Sequence, residues 1–281
     1  MRLPIPLLAC AGLWFAAGHA RAAESYDNCV GFIDSLPATI TTQGVWCLRK
    51  DLSTAMASGP AIRIQANNVT IDCNDFKIGG LAAGDGSAAV GILAQGRHNA
   101  RIRHCNLRGF FIGIDVQGDG QVVESNQVGD SLLIGIRVAG HGSLVRGNRV
   151  LDTGGAPPDE EGVQYSIGID ALADVVDNLV DGAYAEGTNT YAYGIRLDLD
   201  GFGNVARGNT VRRMDADGNG LAVGIWAREH QVVEDNVIAN GPGDSSAVSY
   251  GVWNGLVCRD NTVFGYPTAY ENCAVVIGGA P

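Results

Sequence analysis

Four ionisable residues, Asp115, Arg137, Asp170 and Arg196, each follow an isoleucine in a short phrase that the chain repeats. Gln117 stands two residues beyond Asp115, and Asp198 two beyond Arg196. Trp226 and Trp253 occupy the same position in later copies, with Arg228 two beyond Trp226. A pair of carboxyl groups flanking a glycosidic bond can divide acid and base work between them. A base beside a cation can remove a proton next to a carboxyl group and stabilise the carbanion. A guanidinium can grip a carboxylate with two parallel hydrogen bonds. An indole offers an apolar face with one N–H as a polar handle. The candidate catalytic set is therefore Asp115, Arg137, Asp170, Arg196 and Asp198. The candidate substrate-binding set is Trp226, Trp253, Arg228 and Gln117. No metal-ligand set is identified.

These residues share a site only if the repeats stack. The phrase is apolar-Gly-(Ile/Val)-x, with glycines at 91, 113, 135, 168, 194, 224 and 251. Self-similarity at such a period marks a stacked array. Asn followed two residues later by an apolar residue travels with it, at Asn74, Asn126, Asn148, Asn178, Asn209, Asn236 and Asn261. Asn tolerates the left-handed backbone of a tight corner. Each unit reads as strand, turn, strand, Asn corner, strand and loop. Stacking such coils buries columns of Ile and Val that one unit alone could not bury.

Alternation within the strand predicts that Ile92, Ile114, Ile136, Ile169, Ile195, Ile225 and Val252 point inward as one column. It predicts that the glycines and the residues after the Ile point outward. Leu93, Asp115, Arg137, Asp170, Arg196, Trp226 and Trp253 then form one outer column, and the glycines keep a lane low enough for a chain to lie near the backbone. Asp115 and Asp170, two coils apart, would be about 9.6 Å from each other at Cα. Asp170 and Asp198 form a second candidate pair. The charged residues also have a plain reading as a surface ion-pair ladder, worth little per pair. His141 reads as a turn residue, and Asp217-Gly218-Asn219-Gly220 as a loop.

The chain has 281 residues, of which 46% are hydrophobic, 17% are charged and 40 are glycine. So much glycine disfavours long helices. Residues 1–22 read as a signal peptide: Arg2, an apolar run from Leu3 to Ala17, and Ala20-Arg21-Ala22 as a cleavage site. The apolar run is shorter than the roughly 20 residues of a membrane span, and no later segment could span as a helix. Loss of Arg2 and Arg21 takes the net charge from −11 to −13, which disfavours nucleic acid and anionic membranes as partners. The expected location is secreted or periplasmic.

Six cysteines remain in the mature chain: Cys29, Cys47, Cys73, Cys105, Cys258 and Cys273. An even count in an exported chain suggests disulfides. Proximity favours Cys29–Cys47 and Cys258–Cys273. Cys73 and Cys105 fall at nearly equivalent places in consecutive coils, where a bridge is feasible. Zinc is the competing reading, but no Cys-x-x-Cys pair occurs.

The expected organisation is a cap over 23–60, a solenoid over 61–265 and a closing segment over 266–281. The Gly-Ile copies, the Asn corners and the unequal loops resemble the right-handed parallel β-helix of the pectate-lyase-like superfamily. The segment from Cys29 through Gly44-Val45-Trp46-Cys47 to Val69-Thr70-Ile71-Asp72 resembles the entry segment of secreted bacterial β-helix repeat proteins. The resemblance implies an all-β, single-stranded right-handed parallel β-helix of about eight or nine coils. It also implies that the Gly-Ile sheet floors a glycan cleft walled by the long loops, the longest holding Pro157-Pro158-Asp159-Glu160-Glu161. On this reading the partner is a polysaccharide, with uronate carboxylates held by the arginines. If the protein is a lyase, Ca²⁺ held by acidic residues is the implied cofactor. The groove strands carry no lysine, which argues against a Lys-dependent lyase. The rival expectation is a non-catalytic cell-envelope or adhesion protein.

Overall fold

The computed structural model describes residues 26–197, 203–241 and 243–278; residues 1–22, expected to form a signal peptide, and Asp198 lie outside the described residues. One coil shows the plan. Strand Ile112–Gln117 lies on the first face, Val122–Glu124 on the second and Gln127–Gly129 on the third. The next coil repeats it, with Ile134–Arg146 running through the first two faces and Arg149–Gly154 on the third. Every inter-coil pairing is parallel, and the third sheet has nine strands, consistent with the eight or nine coils expected. The described residues contain one short helical turn, Leu81–Ala83, and no helix long and apolar enough to cross a membrane. Within the segment 23–60, strand Ala38–Ile40 pairs with Ile62–Ile64, Gly44–Cys47 with Val69–Asp72, and Leu52–Ser53 with Ile78–Gly79. Parallel stacking thus begins before residue 61.

The predicted inner column forms. Ile92, Ile114, Ile136, Ile169, Ile195, Ile225 and Val252 are in register from coil to coil and fully buried. The glycines differ from the expectation. A Cβ on Gly113, Gly135, Gly168, Gly194 or Gly251 would lie 2.2–2.4 Å from a Cγ1 of Val128, Val150, Val180, Val211 or Val263. Those valines belong to the core, so the glycines face inward rather than flooring an outer lane. The reason is local. The first-face ladders pair the residue before the glycine and the isoleucine after it, but skip the glycine. Alternation breaks there, and two successive residues face the interior.

The Asn corners also work by another route. The left-handed residue is the one before each Asn: Ser125, Gly147, Asp177, Gly208, Asp235 and Asp260 have φ between 53° and 68°. The asparagines themselves are buried. The Nδ2 of Asn126 donates to the Oδ1 of Asn148 at 3.0 Å, and the pattern continues through Asn178, Asn209 and Asn236 to Asn261 at 2.8–3.0 Å. Each Nδ2 also donates to a backbone carbonyl of the preceding coil, such as Val145 from Asn178. A buried amide with its donors and acceptor engaged avoids the desolvation cost of an unmade hydrogen bond. Asn74 stands outside this ladder: it has φ 47° and donates to the Leu48 carbonyl. Cys105 takes the ladder position at that end, its N–H donating to Asn126 Oδ1.

Three disulfides form: Cys29–Cys47, Cys73–Cys105 and Cys258–Cys273. The first and last lie towards the two ends of the stack, and the middle one ties two neighbouring coils across 4.7 Å at Cα.

Candidate functional site

The outer column stacks in register as the spacing predicts. Leu93, Asp115, Arg137, Asp170, Arg196, Trp226 and Trp253 pair successively, and the column extends to Arg63 at one end and Glu271 at the other. The structure therefore brings Asp115, Arg137, Asp170 and Arg196 together.

Their electrostatics depart from an open groove. Asp170 is 1% exposed. Arg196 donates from Nε to Oδ1 at 3.0 Å and from Nη2 to Oδ2 at 2.9 Å, while Arg137 Nε reaches Oδ2 at 3.4 Å. Both Asp170 oxygens are thus engaged by guanidinium groups. Asp115 is also buried; it accepts a hydrogen bond from Gln117 Nε2 at 2.9 Å and lies 4.0 Å from Arg137 Nη1. Burial pushes the Asp115 carboxyl above its usual range. The Gln117 bond and the Arg137 charge oppose that shift, and the Asp170 charge adds to it. Gln117 therefore serves Asp115. It sits four coils from Trp226, about 19 Å along the stack at ~4.8 Å per coil.

The tryptophans belong to an aromatic stack. Trp226 lies between Tyr193 and Trp253, with ring centroids 5.2 and 5.4 Å away and interplanar angles of 26° and 19°. The stack continues through Tyr193–Tyr191 at 6.2 Å to Tyr191–Tyr165 at 5.2 Å, and Tyr250 leans on Trp253. Arg196 lies 5.9 Å from the Tyr193 centroid, within cation–π range. Ile112, Ile134, Ile167, Tyr193 and Val223, which precede the glycines, form a second buried cluster outside the main core, and these rings pack against it. Both faces of Trp226 are covered by Tyr193 and Trp253, so it does not present the open face to a sugar ring that the sequence leads one to expect. Trp226 Nε1 is buried without a hydrogen-bond partner.

At the C-terminal end a cleft of about 590 Å³ is lined by Trp226, Arg228, Glu229, Asn254 and Asn272. Trp226 and Arg228 were legible as a pair two residues apart. Glu229, Asn254 and Asn272 were missed. Asn254 and Asn272 have φ of 61° and 55°, so their signal is the Asn that closes a first-face strand in consecutive coils.

The pattern of a right-handed β-helix region matches residues 65–280. This chain belongs to the right-handed β-helix family. No curated protein matches it. Among solved structures it is similar to the Dettilon tailspike protein (13% identity, TM-score 0.47), covering 85% of this chain and 54% of the tailspike chain. It is also similar to the A-module of a mannuronan C-5 epimerase from Azotobacter vinelandii (13%, TM-score 0.49), covering 86% of this chain and 88% of that one. A polysaccharide lyase of family PL6 from Pseudopedobacter saltans (13%, TM-score 0.43) covers 87% and 73%. The chain thus spans about half the length of the tailspike.

Elsewhere on this β-helix the same charge pattern recurs. On the second face Asp72, Arg103, Glu124 and Arg146 are neighbours in register, as are Arg207, Glu234 and Arg259. Arg103 bonds Asp72 at 2.8 Å, Arg146 bonds Glu124 at 2.6 Å and Arg259 bonds Glu234 at 2.6 Å. Asp72, Glu124 and Glu234 are buried like Asp115 and Asp170. Alternating charge is therefore a general way for this solenoid to stack polar columns, because like charges directly opposite would repel. Among the described residues no three His, Cys, Asp or Glu side chains gather where a metal ion could be held. Neither buried aspartate of the outer column is suited to hold Ca²⁺: Asp170 already faces two guanidinium groups, and Asp115 faces Gln117 and Arg137.

Proposed function

We propose that this β-helix is an exported protein that binds a polysaccharide along the C-terminal half of its Gly-Ile face without cleaving it. The observation that carries the reading is the cleft beside the aromatic stack. It combines an indole edge, a guanidinium, a carboxylate and two amides, a set able to exchange hydrogen bonds with sugar hydroxyls. Three disulfides support export to an oxidising compartment.

The case against hydrolysis rests on Asp170. A glycosidase needs a second carboxyl group beside its acid, and the carboxylate that would accompany Asp115 has both oxygens engaged by Arg137 and Arg196. One observation favours a second reading, cleavage: the Asp115 carboxyl is held above its usual range by burial, as suits a proton donor.

The test is binding of soluble polysaccharides by affinity electrophoresis, comparing the wild type with Arg228→Gln/Glu229→Gln. Glu229 is highly exposed, so its replacement should leave the stack intact. Retarded migration of the wild type, reduced in the double variant, supports the reading. Unchanged binding by the variant moves the site away from the cleft.

A further inference from the structure

Asn240, Gly241, Gly243 and Asp244, which follow strand Val237–Ala239, border a cavity of about 290 Å³ against strands Leu179–Ala185 and Thr210–Ala216. Tyr184, Arg213, Met214, Asp215, Asn240 and Asp244 are among its lining residues. It shares no lining residue with the Trp226 cleft. Its size lies at the low end of ligand pockets, enough for one pyranose ring.

The cavity's charge is one-sided. Arg213, its cation, is already committed: it bonds Asp181 from Nε and Nη2 and Asp152 Oδ1 from Nη2 at 3.1 Å. Its guanidinium lies 5.8 Å from the Tyr184 centroid. The acids have no such compensation. Asp215 Oδ1 accepts from the Ser245 N–H and hydroxyl at 2.7 Å, and Asp217 Oδ1 approaches the same hydroxyl at 2.6 Å. Asp244 accepts from Asn240 Nδ2 at 2.8 Å and the Ser246 N–H at 3.0 Å. All these donors are neutral. The carboxylates also do not gather on a point that would focus a metal ion. Their spread suits a larger cation that distributes hydrogen-bond donors around a ring.

The surroundings carry the same sign. The seven connections from a third-face strand to the next Gly-Ile strand contain eight acidic residues, among them the Asp159-Glu160-Glu161 run and Glu186, and no Lys, Arg or His; of the eight, Asp130 is paired with Arg108 of the adjoining strand. Such a field raises the local concentration of cationic ligands and repels polyuronates.

The geometry points to a second ligand site: the cavity takes one hexosamine unit, a pyranose carrying a free protonated amine, within an oligosaccharide. Tyr184 supplies an aromatic ring beside the sugar. Asp215 and Asp244 accept from the ammonium group and ring hydroxyls, while Asn240, whose amide is taken up by Met214, Gly241 and Asp244, holds the Asp244 carboxylate in place. Acetylating the amine removes the charge and adds bulk, so this site should discriminate strongly against the acetylated unit.

The experiment is titration of the full mature protein with glucosamine trimers and N-acetylglucosamine trimers by calorimetry, with putrescine as a sugar-free amine. Glucosamine trimers should bind about tenfold tighter than the acetylated trimers, since a charge-assisted contact is worth ~1.5 kcal/mol or more. Asp215→Asn/Asp244→Asn should lose about tenfold in affinity for the same reason. Lys50→Gln, exposed at the far end of the stack, should leave it unchanged. Equal affinity for both trimers, no binding of either, or putrescine binding as tightly as the glucosamine trimer would overturn the proposal. Loss of binding only in the Arg228/Glu229 variant would overturn it too, by assigning the amine to the cleft.

Discussion

Replacing Gly168 with alanine tests the reading of the repeat at its most constrained point. The new Cβ would lie 2.4 Å from Val180 Cγ1 and 2.6 Å from the carbonyl oxygen of Gly194. Carbon atoms in contact prefer about 3.5–4.0 Å. The Val180 methyl is confined in a fully buried column, and the Gly194 oxygen is backbone of the adjacent coil. Neither can retreat without shifting a coil. Overpacking of a close-packed core costs about 1–3 kcal/mol, and two simultaneous clashes place this variant near the top, about 3 kcal/mol. For a chain of this size that is a fall of about 6–12 °C in Tm. Gly168 is not among the glycines with positive φ, so backbone strain does not contribute. The control is Gly86→Ala, where a Cβ meets nothing within 4 Å and stability should change by less than about 0.5 kcal/mol. Urea unfolding of the two variants beside the wild type gives the comparison. If Gly168→Ala is as stable as the wild type but binds polysaccharide more weakly, the glycine faces an outer groove and the inward assignment is wrong.

Other perturbations have expected outcomes. Asn178→Ala removes an acceptor for Asn148 and donors to Val145 and Asn209, so it should cost about 3 kcal/mol in the same assay. Asp170→Asn leaves Arg137 and Arg196 facing a neutral group and should cost about 3 kcal/mol, whereas Asp115→Asn should cost under about 1 kcal/mol because burial already disfavours the charged form. Acid should destabilise the solenoid through Glu124 and Asp181. Burial alone would raise both carboxyls, but arginine hydrogen bonds and charges overcome it and hold them below their usual range. Their contribution is present above the unfolded values near pH 4 and is lost as pH falls through the lower folded values. Asp115 has the opposite sign, its contribution declining as pH rises through its raised folded value. Urea midpoints at successive pH values below neutrality should therefore be less acid-sensitive in Arg146→Gln/Arg212→Gln than in the wild type.

The repeat made much of this legible in advance. The inner Ile column and the register of Asp115 through Trp253 follow from spacing, because parallel stacking forces equivalent residues of successive coils to coincide; proximity gives Cys29–Cys47 and Cys258–Cys273, whereas for Cys73–Cys105 the spacing shows only that a bridge is feasible. Direction was less legible. Strict alternation sends Gly168 outward, and only the backbone shows that the ladder skips it. The backbone preference of Asn178 suggests a corner, whereas its role is an amide ladder and Asp177 takes the left-handed geometry. Burial within the outer column was not legible. Asp170 and Trp226 occupy the outer column as expected, but their cover comes from long side chains of adjacent coils, which strand periodicity does not encode. The Asp72 and Glu234 ladders could have been found by reading the second strand of each unit as the first was read; they would have marked alternating charge as a stacking device.

The most direct measurement incubates the mature protein with a panel of neutral, uronate-containing and amine-containing polysaccharides, and follows binding, new reducing ends and unsaturated-uronate absorbance in the same samples. The account predicts retention of at least one polysaccharide, weakened by Arg228→Gln/Glu229→Gln, with neither new reducing ends nor unsaturated product. Product formation that disappears in Asp115→Asn would establish cleavage and contradict the non-catalytic reading, and absence of binding to every member of the panel would contradict the polysaccharide reading itself.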